Sequence, residues 1–353
     1  MQIAVLLSGG VDSSVALKLL KEEGHNLTAF YLKIWLEDEL SYLGDCPWEE
    51  DLAYAQEVCE GAGVPLEIIS MQKEYWDEVV NYTIEEVKAG QTPNPDILCN
   101  QRIKFGKFYE KIDKNFEKVA TGHYAQVEEK EGVFYLGKAK DSFKDQTYFL
   151  SHLSQKQLSR ALFPIGKYTK KEVRELAQKY DLPNKDRKDS QGICFLGQIK
   201  FNKFLKHHLG EKKGDLIEFE TQEKIGEHPG FWYYTIGQRQ GIGLSGGPWY
   251  VVKKDPEKNK IYISREYHTQ DKVRDMVKAK NIHWISNYQP RVGNPVDLEV
   301  KIRHGEEFYQ ANVEFVSKNE ATIHLNASDQ GIAAGQFAVF YDGKICLGGG
   351  VIE

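Results

Sequence analysis

The chain opens on an unbroken apolar run, Gln2 to Leu7 (QIAVLL), which reads as a strand buried on both faces, as in parallel sheets. Ser8-Gly9-Gly10 interrupts it. From Asp12 to Glu23 the apolar positions Val15, Ala16, Leu19 and Leu20 recur at helical spacing, ending near Gly24. Leu27 to Ile34 repeats the strand pattern, Glu49 to Ala62 the helix pattern, and Pro65 to Ser70 the strand pattern again. This alternation predicts an α/β parallel sheet with right-handed crossovers. Lys118 to Ala120, followed by Thr121-Gly122-His123, reads as a further strand ending in a ligand-facing turn. Thr169 with Glu172 forms a capping box that opens a helix running to about Tyr180.

After about Leu196 short strands take over, separated by Gly, Pro, Asn and Asp turns: Phe231 to Ile236, Trp249 to Lys253, Lys260 to Ser264, Val296 to Arg303, Phe308 to Val316, Ala321 to Leu325 and Gln336 to Tyr341. Such punctuation predicts small β domains or a barrel. The expected organisation is a parallel-sheet catalytic domain over 1–199, a small central domain over 200–270, and a C-terminal β-barrel over 271–353.

With 353 residues, 41% hydrophobic and 28% charged, the chain is long enough for several cores. No apolar run approaches a membrane span and no signal-peptide pattern precedes the first strand, so a cytoplasmic protein with no membrane partner is expected. The five cysteines, Cys46, Cys59, Cys99, Cys194 and Cys346, contain no CxxC pair, which argues against a disulfide framework or a self-contained zinc finger. A net charge of −6 does not advertise nucleic-acid binding. A local basic bias over Lys200 to Lys213 offers either an RNA-facing groove or a solvated helix face.

The stretch Leu6-Leu7-Ser8-Gly9-Gly10-Val11-Asp12-Ser13-Ser14 lies between the first strand and the first helix. Glycines there admit a polyphosphate close to the backbone, while helix N-terminal amides and the serine hydroxyls supply donors. The loop has neither the lysine of a Walker loop nor a GxGxxG fingerprint. Ser-Gly-Gly alone is a common turn, and Asp12 alone is a common helix cap; the strand before and helix after give the stretch its meaning. SGGVDSS in this setting resembles the PP-loop of the ATP pyrophosphatases, which cleave ATP between its α and β phosphates and adenylate a substrate.

Cys99 sits in Thr92-Pro93-Asn94-Pro95-Asp96-Ile97-Leu98-Cys99-Asn100, whose prolines and asparagines suggest a rigid, non-helical loop. Asp96 is placed to act as general acid or base, and Arg102 and Lys104 to favour a thiolate. Cys194 lies in Asp189-Ser190-Gln191-Gly192-Ile193-Cys194, beside Lys185, Arg187 and Lys188. Cys59, expected in a helix, Cys346 and Cys46 read as ordinary buried thiols.

TPNPDILCNQRIKF, TGHYA, KDQTYFL, DSQGICFLG and YTIGQRQGIGL, in this order behind the phosphate loop, resemble the bacterial tRNA-specific 2-thiouridylases. The resemblance implies an adenine nucleotide α-hydrolase-like fold and 2-thiolation of the wobble uridine in tRNAs for Lys, Glu and Gln. It implies ATP with Mg2+, a tRNA anticodon stem-loop as substrate, a persulfide sulfur-donor protein as partner, and a monomer. ATP neighbours would be Leu6, Leu7, Ser8, Gly9, Gly10, Val11, Asp12 and Ser13, with Leu32 and Gly122. Leu32 stands where methionine is common, and the His304 position is often aromatic in relatives. Cys194 would carry the persulfide, Cys99 would release the product by forming a transient Cys99–Cys194 disulfide, and Asp96 would move protons. Asn94, Pro95 and Asp96 would contact the target base. His123, Lys144, Asp145, Gln146, Arg303, His304 and Gln336 would contact tRNA. Three rivals follow from the residues: a PP-loop enzyme using ammonia or an amine, which needs neither cysteine; a non-catalytic RNA-binding module, which leaves SGGVDSS unexplained; and an iron–sulfur cluster on Cys99, Cys194 and Asp96, short of the usual three thiolates.

Overall fold

The computed structural model describes residues 1–34, 48–189, 201–266, 274–286, 288 and 290–353. Near the N-terminus, β1 (Gln2–Leu6), β2 (Asn26–Lys33), β3 (Leu66–Ser70), β4 (Lys118–Ala120) and β7 (Ala161–Leu162) form one parallel sheet in the order β3-β2-β1-β4-β7. The central strand shows why the opening apolar run is unbroken. Alternate side chains point to opposite faces of a strand, so Ile3, Val5 and Leu7 enter a core with Leu17, Leu20 and Ala29, while Ala4 and Leu6 enter another with Phe30, Cys99 and Val119. Helix α1 (Val11–Glu22) follows β1 and α2 (Trp48–Ala62) precedes β3. Helical stretches α3 over 72–88 and α4 over 95–111 precede β4. Helix α5 (Lys170–Lys179) opens on Thr169, whose hydroxyl accepts from the Glu172 amide while Glu172 reaches back to the Thr169 amide, as the capping box predicted.

Two β units follow helix α6 (Phe201–Leu209), which buries Phe204 and Leu205 and leaves Lys203, Lys206 and His207 exposed. Strands β8 (Gly214–Glu218), β9 (Lys224–His228), β10 (Tyr250–Asp255) and β11 (Lys260–Ser264) form a four-stranded sheet. Then β12 (Met276–Trp284), β13 (Val296–Lys301), β14 (Tyr309–Ser317), β15 (Glu320–Leu325), β16 (Phe337–Asp342) and β17 (Ile345–Ile352) close a six-stranded barrel, because β17 pairs with β12 as well as with β16.

Three sequence expectations are corrected. Residues 95–111 form a continuous helix where a non-helical loop was expected, since Asn94 accepts from the Ile97 amide as an N-cap and Pro95 occupies the first helical position. Its middle, Cys99–Lys107, is wound as a π-helix. The strand expected over Phe231 to Ile236 is a 3-10 turn, Phe231–Tyr233, because Phe231 and Tyr234 both turn into the central domain's core. A hairpin, β5 (Gln126–Lys130) and β6 (Val133–Gly137), was not foreseen. It leaves the parallel-sheet region and extends the barrel sheet, with Leu136 and Gly137 paired to Cys346 and Ile345 of β17. At Gly348 the strand β17 changes partner from β6 to β12; a Cβ there would lie 2.0 Å from the His283 carbonyl oxygen.

The seam between barrel and parallel-sheet region buries His152, whose ring stacks on His283 at 5.6 Å and meets Phe337 edge-on at 4.8 Å. Burial, with His283 and Arg102 adding to it, lowers its pKa from 6.5 to about 3. The unfolded chain therefore takes up a proton that the folded chain refuses. The stability this group contributes is complete above pH 6.5 and is lost as pH falls from 6.5 toward 3, by on the order of 5 kcal/mol over the whole window. Denaturant titrations between pH 7 and 4 should show this slope, and His152→Gln should flatten it; an unchanged slope in the variant would assign the acid sensitivity elsewhere.

Candidate functional site

The phosphate loop is built by strand, turn and helix in immediate succession. Gly9 adopts φ +73°, a conformation that favours glycine, and a Cβ there would lie 2.2 Å from the Asp51 carbonyl oxygen. Gly10, extended, caps α1 without a side-chain bond, so its neighbours stabilise the turn. The Ser13 and Ser14 hydroxyls each donate to the Gly10 carbonyl at 3.0 Å, and the Ser8 amide donates to the Ser13 oxygen at 3.2 Å. From outside, the buried Asn184 amide donates to the Gly9 carbonyl at 2.7 Å and to the Ser14 oxygen at 2.9 Å. Arg187 donates to the same carbonyl at 3.2 Å while paired with Asp51. The loop is thus held by the protein's own groups, and its amides lie at the N-terminus of α1, where the helix dipole favours an anion.

The Thr121–Tyr124 segment ties this loop to the helix of Cys99. Gly122 lies so close to the start of α1 that a Cβ would meet the Ser13 nitrogen at 2.6 Å. The Tyr124 hydroxyl donates to Asp12 at 2.9 Å. His123 bonds Thr121 at 2.7 Å and rests its ring against Phe105 of α4 and Phe163. Burial holds His123 well below the ordinary histidine range, with nearby Lys104 adding to the effect, so its ring is neutral at pH 7.

Cys99 is almost fully buried in the core that also holds Leu6 and Phe30. Asp96 stands three residues earlier on the same helix, so the two side chains share a face. Arg102 is turned instead to Glu78, donating to its carbonyl at 3.0 Å and pairing with its carboxylate at 3.5 Å. Leu32 is half-buried on β2 against the same core. Cys194 and Cys46 lie outside the described residues. Cys59 is buried in α2 with its thiol pushed up to about 11 by desolvation, and Cys346 is buried in β17 with its thiol raised further by the same cause.

The segment over 90–94 is held from three sides. Gly90 lies against Pro256 of the central domain, where a Cβ would meet that ring at 2.3 Å. The Thr92 amide donates to the Ala334 carbonyl at 2.8 Å, and the Gln336 side chain donates to the Thr92 carbonyl at 2.9 Å. Asn94 hydrogen-bonds the Tyr148 hydroxyl, which also donates to the Phe337 carbonyl. His304 of the barrel lays its ring over Phe149 at 4.4 Å, and Arg303 forks onto Asp329, which also accepts from Tyr309. Desolvation lowers the His304 pKa.

One segment spans both groups. Lys144 pairs with Asp189 at 2.9 Å, Gln146 accepts from the Tyr124 amide at 2.9 Å, and Tyr148 and Phe149 reach Asn94 and His304. Asp145 is buried, accepting from the Ala139 amide and the Thr147 hydroxyl, so it holds this segment rather than facing outward. Sequence reasoning missed Tyr124, Asn184 and above all Lys170, which pairs with Asp12 at 2.8 Å. The capping box placed Lys170 at the start of its helix but carried no sign of what it would face.

Comparison with known proteins follows the same division of the chain. The model of the tRNA methyl transferase HUP domain matches residues 1–198, that of the tRNA methyl transferase PRC-barrel domain 202–265, and that of the aminomethyltransferase beta-barrel domain 274–352. The chain is 46% identical to tRNA-specific 2-thiouridylase MnmA 1 of Bacteroides thetaiotaomicron, across 100% of this chain and 99% of that protein. The chain belongs to the tRNA-specific 2-thiouridylase family. Further members of that family, MnmA 2 of Bacteroides fragilis and MnmA of Parabacteroides distasonis, are 47% and 45% identical over 100% of this chain and 100% and 99% of their own lengths. In this 2-thiouridylase family member one short stretch, 144–149, touches both the surroundings of the Ser8–Ser14 loop and the 90–94 segment. Among the described residues no helix is long and apolar enough to cross a membrane.

Proposed function

We propose that this chain is an ATP-dependent tRNA 2-thiouridylase acting on the wobble uridine of tRNAs for Lys, Glu and Gln. The observation that carries the reading is the pairing of a preformed phosphate loop with a cysteine-bearing helix through the 121–124 segment, in a chain alike to the 2-thiouridylases from end to end. The uracil C2 oxygen attacks the α phosphorus of ATP and diphosphate leaves, converting a poor leaving group into AMP. The terminal sulfur of a Cys194 persulfide attacks C2 and AMP departs with the former carbonyl oxygen. The Cys99 thiolate attacks the Cys194 sulfur, forming the Cys99–Cys194 disulfide and releasing the 2-thiouridine sulfur. A reductant then restores both thiols. Asp96, on the Cys99 face of α4, handles the proton transfers.

Mg2+ fits the donor set: Asp12 supplies one carboxylate beside the hydroxyls of Ser8 and Ser13, the hard oxygens this ion takes along with phosphate. Bound there, it would neutralise charge on the polyphosphate. Asn94, Pro95 and Asp96 would read a flipped base, and Arg303, His304, Gln336 and Lys144, with His123 and Gln146 behind them, would line its approach. Asp145, buried, would act by holding that lining. A protein carrying persulfide sulfur would serve as donor, and the reaction belongs in the cytoplasm, where tRNA is modified.

Unmodified tRNA, ATP and sulfide or a persulfide donor provide the test, scoring AMP and 2-thiouridine in a single turnover. Equal yields of both are expected. AMP without 2-thiouridine would hand the site to an amine-using relative, and no AMP at all would remove catalysis from the reading.

A further inference from the structure

The phosphate loop contains no lysine, yet an ammonium stands beside it. Lys170 is the first residue of α5, and its Nζ donates to both Asp12 oxygens, at 2.8 and 2.9 Å. The same Nζ pairs with Asp189 at 2.8 Å, and Asp189 is gripped by Lys144 at 2.9 Å and Arg174 at 2.5 Å. The Tyr124 ring lies 5.9 Å from the ammonium, and the Lys170 amide is pinned by Asp141 at 2.8 Å. The Lys170 side chain is only 15% exposed. Charge is therefore delivered to the first turn of α1 from a helix more than a hundred residues away in sequence, and it is braced from behind.

We propose that Lys170 is the cation of the phosphate loop: it engages the β and γ phosphates of ATP, the part that leaves as diphosphate, and rests on Asp12 and Asp189 when no nucleotide is bound. This rests on the loop being the ATP site. The direction of the nucleotide follows from the sheet order. Leu32, the candidate adenine neighbour, is on β2 to one side of β1, whereas α5 follows β7 on the other side, beyond β4. An adenine near Leu32 thus sends its phosphates across the loop toward Lys170. Arg187, another cation near the loop, is held by Asp51 and Glu50 and grips the Gly9 carbonyl from outside, which suits support of the loop rather than contact with ligand. Three cations, Lys144, Lys170 and Arg174, stand among three carboxylates, Asp12, Asp141 and Asp189, so the cluster is balanced at rest and an incoming polyanion competes with Asp12 and Asp189 for the Lys170 ammonium.

The test is calorimetric titration with ATP and with AMP, both in EDTA, of the wild type, Lys170→Met, Lys170→Arg and the double variant Asp12→Asn/Lys170→Met. Lys170→Met should weaken ATP binding roughly 10- to 100-fold, the scale of one charge-assisted contact, and AMP binding by less than about threefold. Lys170→Arg should recover most of the ATP affinity. The double variant, which leaves no unpaired charge at Asp12, should fold well and stay weak toward ATP. Equal losses for ATP and AMP, or ATP affinity restored in the double variant, would overturn the proposal and confine Lys170 to neutralising Asp12. A wild type that binds neither ATP nor AMP would remove the loop as the nucleotide site, so the underlying assignment fails separately.

Discussion

Replacing Cys99 by serine is expected to abolish release of 2-thiouridine while leaving ATP cleavage intact. Loss of a nucleophile that a reaction cannot bypass lowers turnover by roughly 10³-fold or more. In a single turnover without added thiol, Cys99→Ser should form AMP and leave tRNA joined to Cys194 through a disulfide that a reductant then opens. Cys194→Ser should form AMP but no such adduct. The control is Cys59→Ser, because Cys59 is as deeply buried in α2 as Cys99 is in α4. A buried hydroxyl costs each variant about 1–3 kcal/mol of stability, so a loss confined to Cys99 cannot come from destabilisation. Thiouridine release by Cys99→Ser at the wild-type rate would sink the two-cysteine scheme and leave sulfur release to a group other than Cys99.

Gly122→Ala carries the second large effect. The new methyl group would meet the Ser13 nitrogen at 2.6 Å and the Asp12 carbonyl carbon at 2.8 Å, backbone atoms of α1 that have no rotamer to yield. Either α1 or the 121–124 segment must move. The segment also carries His123 against Phe105 and Tyr124 onto Asp12, so displacement reaches the phosphate loop and the Cys99 helix together. Overpacking of this kind costs about 1–3 kcal/mol of stability. A shift of about an ångström at a reacting centre costs on the order of 10²-fold in rate. ATP titration and the thiolation assay should both register the change, with a folded variant confirmed by its melting curve. Wild-type behaviour in both would mean that the contact is slack.

Much of this was legible in the sequence where side-chain chemistry and local pattern coincide. The β1–loop–α1 unit is announced by an apolar run, glycines and a helical repeat, and the structure realises it within a residue at each end. The helix of Cys99 is masked in the sequence because Asn and Pro are common in loops, although Asn at a cap followed by Pro at the first helical position is also how helices begin. The hairpin β5–β6 was hidden by its polarity: Glu128, Glu129, Lys130 and Glu131 are exposed, and only Leu136 is deeply buried. Strand β17 was concealed by Gly348, Gly349 and Gly350, which weaken any strand signal yet are needed where backbones close in on one another. Lys170 was not legible at all. Its meaning depends on which loop the sheet order brings to face it, and that is a property of the fold rather than of the residues around it.

The hairpin has a bearing on how the molecule is made. Its outer partner, β17, leaves the ribosome roughly two hundred residues after β6, so the parallel-sheet region waits through most of synthesis with an open strand edge and half of a shared core. Phe105, Tyr148 and Leu150 stay without Phe337, Val339 and Tyr341 until then. A nascent chain cut short before β16 and β17 would hold a nearly complete nucleotide loop on an unfinished body, marked for aggregation or proteolysis before it could bind tRNA unproductively.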